Sequence, residues 1–292
     1  MTAVFFSVYN QLRRYVFMRI VADSSCDLFT LDYEDFITVP LSIYTDKRSF
    51  TDDETLNVTE MLDYLAKYKG RSYTSCPPID LWKQAYEGAD EIFVMTVTSA
   101  LSGSYMSALN AAEMYLEEHP SARISVIDSL STGAEEVLAL NKLVELIKEG
   151  KDFETIDQTI RTYLKKSRLF FSFFSLHNLS QNGRVNKAVS LALTALNIAV
   201  TGTATAEGKI DVTGKARGEK KSLQTLFKDM TAAGYKGGKA IITHTENEEA
   251  AVDLKKLVQE TYPDADIKIV PTRGLCSYYM ERRGVVISCE TE

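Results

Sequence analysis

The sequence predicts an α/β protein in two units, a mostly parallel sheet sandwiched by helices and then a mixed or antiparallel sheet with helices of its own. Three observations carry that expectation. Up to about Lys166, short β-branched apolar runs alternate with amphipathic stretches of helical length, the rhythm of βαβ units. Beyond Lys166 strands come closer together, and Glu207-Gly208 separates two strand-like runs as in a hairpin. The 292 residues also suffice for two domains of ordinary size. The expected division is an N-terminal extension over residues 1–17, an N-terminal α/β domain over 18–166 and a C-terminal α/β domain over 167–292.

Each element has its own reason. Arg19 to Ala22 reads as a first strand that ends at Asp23-Ser24-Ser25-Cys26-Asp27. Phe36 to Tyr44 is strand-like, but Pro40 places it at an edge or makes it end irregularly. Thr59 to Tyr68 puts Met61, Leu62 and Leu65 on one helical face, and Ile79 to Tyr86 follows two prolines that suit a helix start. Ile92 to Val97 is a buried strand, Thr98 to Ser104 a loop of small residues, and Met106 to Glu118 a helix. Arg123 to Ile127 is a strand ending at Asp128-Ser129, with helices over Gly133 to Lys148 and Phe153 to Lys166. In the second unit, Leu169 to Phe174 is an aromatic strand and Val185 to Ile198 a helix. Gly202 to Ala206 and Lys209 to Val212 form the hairpin. Helices over Lys220–Ala233 and Glu246–Thr261 alternate with strands over Lys239–Thr243 and Asp266–Val270, and Gly284 to Cys289 closes the chain.

The N-terminal stretch is apolar from Phe5 to Tyr9 but is interrupted by Arg13-Arg14, and it is too short to span a bilayer. Met18 is read as the functional start and residues 1–17 as an upstream extension, the alternative being an added surface helix. A formal charge of −7 without a long basic run argues against nucleic acid and anionic membrane surfaces as partners, and no stable membrane insertion is expected. Cys26, Cys76, Cys276 and Cys289 form no CxxC pair, which argues against zinc or a disulfide framework and fits a reducing cytoplasm.

The chemistry-bearing stretch is Thr98 to Ser104. A loop between a parallel strand and a helix sits where open α/β sheets bind ligands, and its hydroxyls and helix N–H groups suit an anion. It lacks the lysine and spacing of a P-loop, so a carboxylate is a better guess than nucleotide phosphate. Asp23-Ser24-Ser25, Thr74-Ser75 and Asp128-Ser129 are further hydroxyl clusters; each alone suits a cap or turn, and together they indicate a polar ligand edge. A hydrolase using this edge is the competing reading, but no Gly-x-Ser-x-Gly elbow exists. His119 ends a helix, His177 begins one, and His244 precedes a Thr245…Glu248 capping box. Asn182-Gly183-Arg184 delivers an arginine at a turn. The basic run Lys215 to Lys221 leads into a helix, as a solvated terminus or as a docking contact.

These residues resemble the DegV family of bacterial fatty acid-binding proteins from Met18 onward. The resemblance rests on six stretches in order: Asp23-Ser24-Ser25-Cys26-Asp27-Leu28, Thr74-Ser75-Cys76-Pro77, Ser99 to Tyr105, Val126-Ile127-Asp128-Ser129, Asn182-Gly183-Arg184-Val185 and Lys215-Ala216-Arg217-Gly218. It implies a two-domain DegV-like fold with a long-chain fatty acid buried between the domains, no other cofactor and no metal. It also implies a carrier and not an enzyme, whose partner is a fatty acid kinase that makes an acyl phosphate. By the same resemblance Thr74, Ser75, Ser102 and Gly103 bind the carboxylate, and Arg184 and Arg217 serve the head group or kinase docking. Ser24, Ser25, Ser129 and Ser277 are expected to line the pocket. The chain departs from the family where His-x-Gly-Pro-Gly is usual and Leu275-Cys276-Ser277-Tyr278-Tyr279 stands instead. Leu196 to Val200 and Pro78 depart as well.

Overall fold

A computed structural model describes residues 18–186 and 197–292; the expected extension, and residues 187–196 of the helix expected from Val185 to Ile198, lie outside the described residues, while Ile198 begins a strand. In chain order the strands are β1 (Met18–Asp23), β2 (Phe36–Val39), β3 (Ser42–Tyr44), β4 (Ser49–Thr51), β5 (Tyr73–Ser75), β6 (Glu91–Thr96) and β7 (Arg123–Asp128). They continue as β8 (Ser167–Phe173), β9 (Ile198–Ala204), β10 (Ile210–Arg217), β11 (Ala240–His244), β12 (Ile267–Pro271) and β13 (Val285–Glu290).

The first sheet, ordered β2-β1-β6-β7, is parallel throughout. Every residue of β6 is buried because helices cover both faces, which is why its sequence is a continuous apolar run. Trp82, Tyr86, Ala108 and Tyr115 cover one face, and Leu140, Leu143, Phe153 and Ile156 the other. The 36–44 run, read as one strand, is divided at Pro40. β2 ends before it as an edge strand, and β3 joins a separate antiparallel sheet, β4-β3-β5. That small sheet was not expected, since strands of three residues are too short to display a period.

The second large sheet runs β10-β9-β8-β13-β11-β12 and is antiparallel except for the β11–β12 pair. Alternation along β8 sends Leu169, Phe171 and Phe173 to the inner face and Phe170 to the outer core beneath the 219–232 and 248–261 helices. The helix Ala134–Lys148 lies between the two large sheets. Its Ala139, Leu140 and Leu143 pack on the parallel sheet, and its Ala134, Val137 and Leu138 on the six-stranded one.

Three expectations need correction. The hairpin strands are longer than predicted, so Lys215 and Arg217 stand exposed on the edge strand β10 and not at a helix start. Charges on an edge strand discourage pairing with another chain. The following helix begins at Glu219, an acid that suits the positive end of the dipole. The capping box at Thr245 does not form: Asn247 is the N-cap, its N–H donates to His244 Nδ1 at 3.2 Å, and the Thr245 hydroxyl pairs with Thr272. Finally, Gly274–Met280 is a short helix in a stretch to which sequence reading assigned no element.

Candidate ligand-binding site

A cavity of about 320 Å³ lies between the carboxyl ends of the parallel strands and the inner face of the six-stranded sheet. That is the lower end of the range for small-molecule sites. Leu169, Phe171, Phe173, Ile210, Met280 and Val286 give it apolar walls. The β9–β10 turn closes one side, with Gly208 at φ +74° against the loop after β6. A Cβ at Gly208 would sit 2.1 Å from Thr98 Oγ1 and 2.9 Å from the Leu130 carbonyl oxygen, so only glycine allows this approach.

Polar groups converge at one end. β5 delivers Thr74 and Ser75, and the loop after β6 delivers Leu101, Ser102 and Gly103. The helix Ser104–Glu118 starts there with no side-chain cap and no acidic residue in its first turn. Its N-terminus carries the partial positive charge of the helix dipole, with buried Asp23 accepting the Ser104 hydroxyl behind it. Ser102 Oγ accepts the Ser104 N–H at 3.2 Å, which leaves the serine proton free to donate. Thr74 Oγ1 and the Tyr279 hydroxyl are 2.7 Å apart. Arg184 donates to the Leu101 carbonyl at 3.2 Å and to the Asn182 carbonyl, and makes no ion pair among the described residues. Hydroxyl donors, a helix N-terminus and an unneutralised guanidinium thus surround one spot, an arrangement suited to a carboxylate.

Ser24, Ser25, Ser129 and Ser277 are not among the lining residues, contrary to expectation. They support the cavity from behind. Ser24 Oγ accepts the Leu41 N–H, Ser129 shapes the turn to Ser131, and Ser277 pairs with Thr272 at 2.7 Å. Ser25 Oγ lies 2.5 Å from Asp23 and 2.6 Å from Glu136, all buried. Desolvation raises both acids, and the charge on Asp23 raises Glu136 further. The other oxygen of Asp23 accepts the Val97 N–H and the Ser104 hydroxyl, which pins both ends of the loop after β6 to β1. Arg217 also lies outside the lining, roughly 20 Å along its strand from Ile210 at 3.3 Å per residue.

Sequence reading missed Tyr279 and two aspartates that join the sheet systems. Asp27 Oδ1 accepts the Arg273 N–H at 2.6 Å, and Asp52 accepts the Gly274 and Leu275 N–H groups at 2.7 and 2.8 Å. All three N–H groups belong to the start of the 274–280 helix that carries Tyr279. Burial raises Asp27 from 3.8 to about 8, and its Oδ2 has no partner. The native state therefore holds this proton more tightly than the unfolded chain. The stability it contributes is complete below about pH 4 and is lost as the pH rises toward 8. Asp27→Asn keeps the Oδ1 acceptor, tolerates the φ of +59° and cannot ionise. Thermal unfolding should show the variant more stable than the parent at pH 8.5 and equal to it near pH 4; a less stable variant at pH 8.5 would contradict this account.

Fold and site together define an α/β protein of two large sheets and one small one, with a cavity whose polar groups suit an anion. The family model described as "Uncharacterised protein, DegV family" matches residues 18–291, and the chain belongs to the DegV family. It is 39% identical over 278 residues to a DegV domain-containing protein of Streptococcus pneumoniae strain R6, covering 94% of this chain and 99% of that one. A DegV domain-containing protein of Streptococcus gordonii is 41% identical over 277 residues, covering 93% and 98%. A DegV family protein from Eubacterium eligens loaded with heptadecanoic acid superposes with a TM-score of 0.93 at 49% identity, covering 94% of this chain and all of that one. The Streptococcus pneumoniae Fatty Acid Kinase (Fak) B3 protein loaded with linoleic acid gives 0.92 at 39% identity, covering 94% and 99%.

Proposed function

We propose that this protein is a fatty acid carrier that holds a long acyl chain between two domains meeting near Lys166 and presents the carboxylate to a fatty acid kinase. The observation that carries the reading is the cavity itself, walled largely by apolar side chains, with the hydroxyls of Thr74 and Ser102 and the charge of Arg184 among its lining. Burying about 15 methylenes yields roughly 12 kcal/mol gross at about 0.8 per CH₂. The carboxylate is costly to bury unless it is hydrogen-bonded, and Thr74, Ser102, the helix N-terminus after Gly103 and the charge of Arg184 answer that need. The neighbours loaded with heptadecanoic and linoleic acids support the ligand class, and the likeness to Fak B3 supports a kinase partner. Exposed Arg217, able to pair bidentately with a carboxylate or phosphate, suits kinase docking away from the cavity. No described helix is long and apolar enough to cross a membrane, and the four cysteines are free, in keeping with a cytoplasmic carrier.

The hydrolase reading has less support. None of the three histidines lines the cavity, and burial lowers His244 while its Nδ1 is occupied by Asn247. Ser102→Ala decides between the two. In a carrier it weakens heptadecanoic acid binding by roughly 1–2 kcal/mol, the worth of one hydrogen bond to a charged group, and no ester hydrolysis exists to lose. Ester hydrolysis by the parent that disappears in Ser102→Ala would make Ser102 a nucleophile and overturn the carrier assignment.

A further inference from the structure

We propose that Tyr279, from the helix that Asp27 and Asp52 clamp, is a head-group residue that works with Thr74 to bind one oxygen of the ligand carboxylate. The inference rests on the carrier reading and extends it to a residue that neither the hydroxyl clusters nor the loop after β6 pointed to. Thr74 Oγ1 and the Tyr279 hydroxyl lie 2.7 Å apart, and both residues line the cavity. Two hydroxyls carry two protons, but only one proton can lie between their oxygens. Neither oxygen has a second partner among the described residues, so the remaining proton has no protein acceptor there. It faces a cavity whose neighbouring groups, Ser102 and Arg184, also call for an oxygen anion.

Chemistry sets the direction of the relay. The phenol is the stronger acid of the two and donates to Thr74, and Thr74 then donates to the carboxylate. Each bond polarises the next, so the threonine proton binds an anion more strongly than it would alone. The Arg184 charge acts on Tyr279 across the same space. Tyr279 is thus a positioning residue, and its place makes the head-group site a product of both sheet systems. Thr74 comes from β5, Tyr279 from the 274–280 helix.

The test compares Tyr279→Phe with the parent protein, using heptadecanoic acid, 1-heptadecanol and carboxyl-¹³C-labelled heptadecanoic acid as probes. The variant keeps the aromatic body and loses only the hydroxyl. Heptadecanoic acid affinity should fall about tenfold and 1-heptadecanol affinity less than about threefold, because the relay matters most to a charged acceptor. The bound carboxylate, followed by its ¹³C shift, should titrate at higher pH in the variant, a change that loosened packing does not produce. Equal losses for acid and alcohol with an unmoved carboxylate titration would overturn the proposal, as would an unaltered affinity for the acid. A parent protein that binds no heptadecanoic acid would instead overturn the carrier reading and this one with it.

Discussion

Asp52→Ala should destabilise the protein by about 3 kcal/mol and weaken ligand binding with it, although Asp52 touches no ligand. Its carboxylate accepts the Gly274 and Leu275 N–H groups at 2.7 and 2.8 Å across the two sheet systems. Removing it strands two buried donors, each costing on the order of 1–3 kcal/mol, while relieving the burial that raises its own acid to about 6. Gly274 is part of the same contact, because a Cβ there would lie 2.6 Å from Asp52 Oδ1 and 2.5 Å from Leu56. The helix held this way carries Cys276, Tyr279 and Met280 into the cavity wall, so loosening it disturbs the ligand site. Urea unfolding should show a lower midpoint with an unchanged slope, and Asp52→Asn, which keeps one acceptor, should lose about half as much. An Asp52→Ala protein as stable as its parent would mean that the helix is held by apolar packing alone.

Val286→Phe should weaken long-chain binding by more than about 100-fold without harming the fold. Val286 lies on β13 in the middle of the six-stranded sheet, paired with Phe171, and its side chain faces the cavity. A phenylalanine there fills space that an acyl chain would occupy. Excluding about four methylenes forfeits roughly 3 kcal/mol, more than 100-fold in affinity. Octanoic acid, which reaches less far from the head group, should lose much less. Titration calorimetry with both acids checks this; unchanged heptadecanoic acid affinity would place the acyl chain elsewhere.

The features readable in the sequence were those written by local rules. The buried run Ile92–Val97 and the small-residue loop to Ser104 gave a parallel strand and a helix N-terminus because hydrophobic burial and turn chemistry act over a few residues. The break at Pro40 followed from a missing N–H. The Thr98–Ser104 loop and the Thr74-Ser75 cluster were legible as polar edges, but the pairing of Thr74 with Ser102 in one carboxylate site was legible only through resemblance, since strands far apart in sequence bring them together. The misplaced serines show the limit of counting hydroxyls. Ser25 sits in the same sheet-edge cluster as the cavity residues, but its side chain turns toward Asp23 and Glu136. Tyr279 and the clamp from Asp52 depend on contacts more than 200 positions apart, for which a single sequence holds no periodic signal. The doubled Tyr278-Tyr279 was the available hint: Tyr278 packs into the small-sheet core with Ile43 and Phe50, while its neighbour turns to the cavity.

The most direct test of the account is mass spectrometry of whatever is released when the purified protein is denatured. A carrier that buries an acyl chain should release a long-chain free fatty acid at close to one molecule per chain, and after delipidation it should take up a fluorescent fatty acid at the same ratio. A protein that releases no fatty acid and takes none up would contradict it.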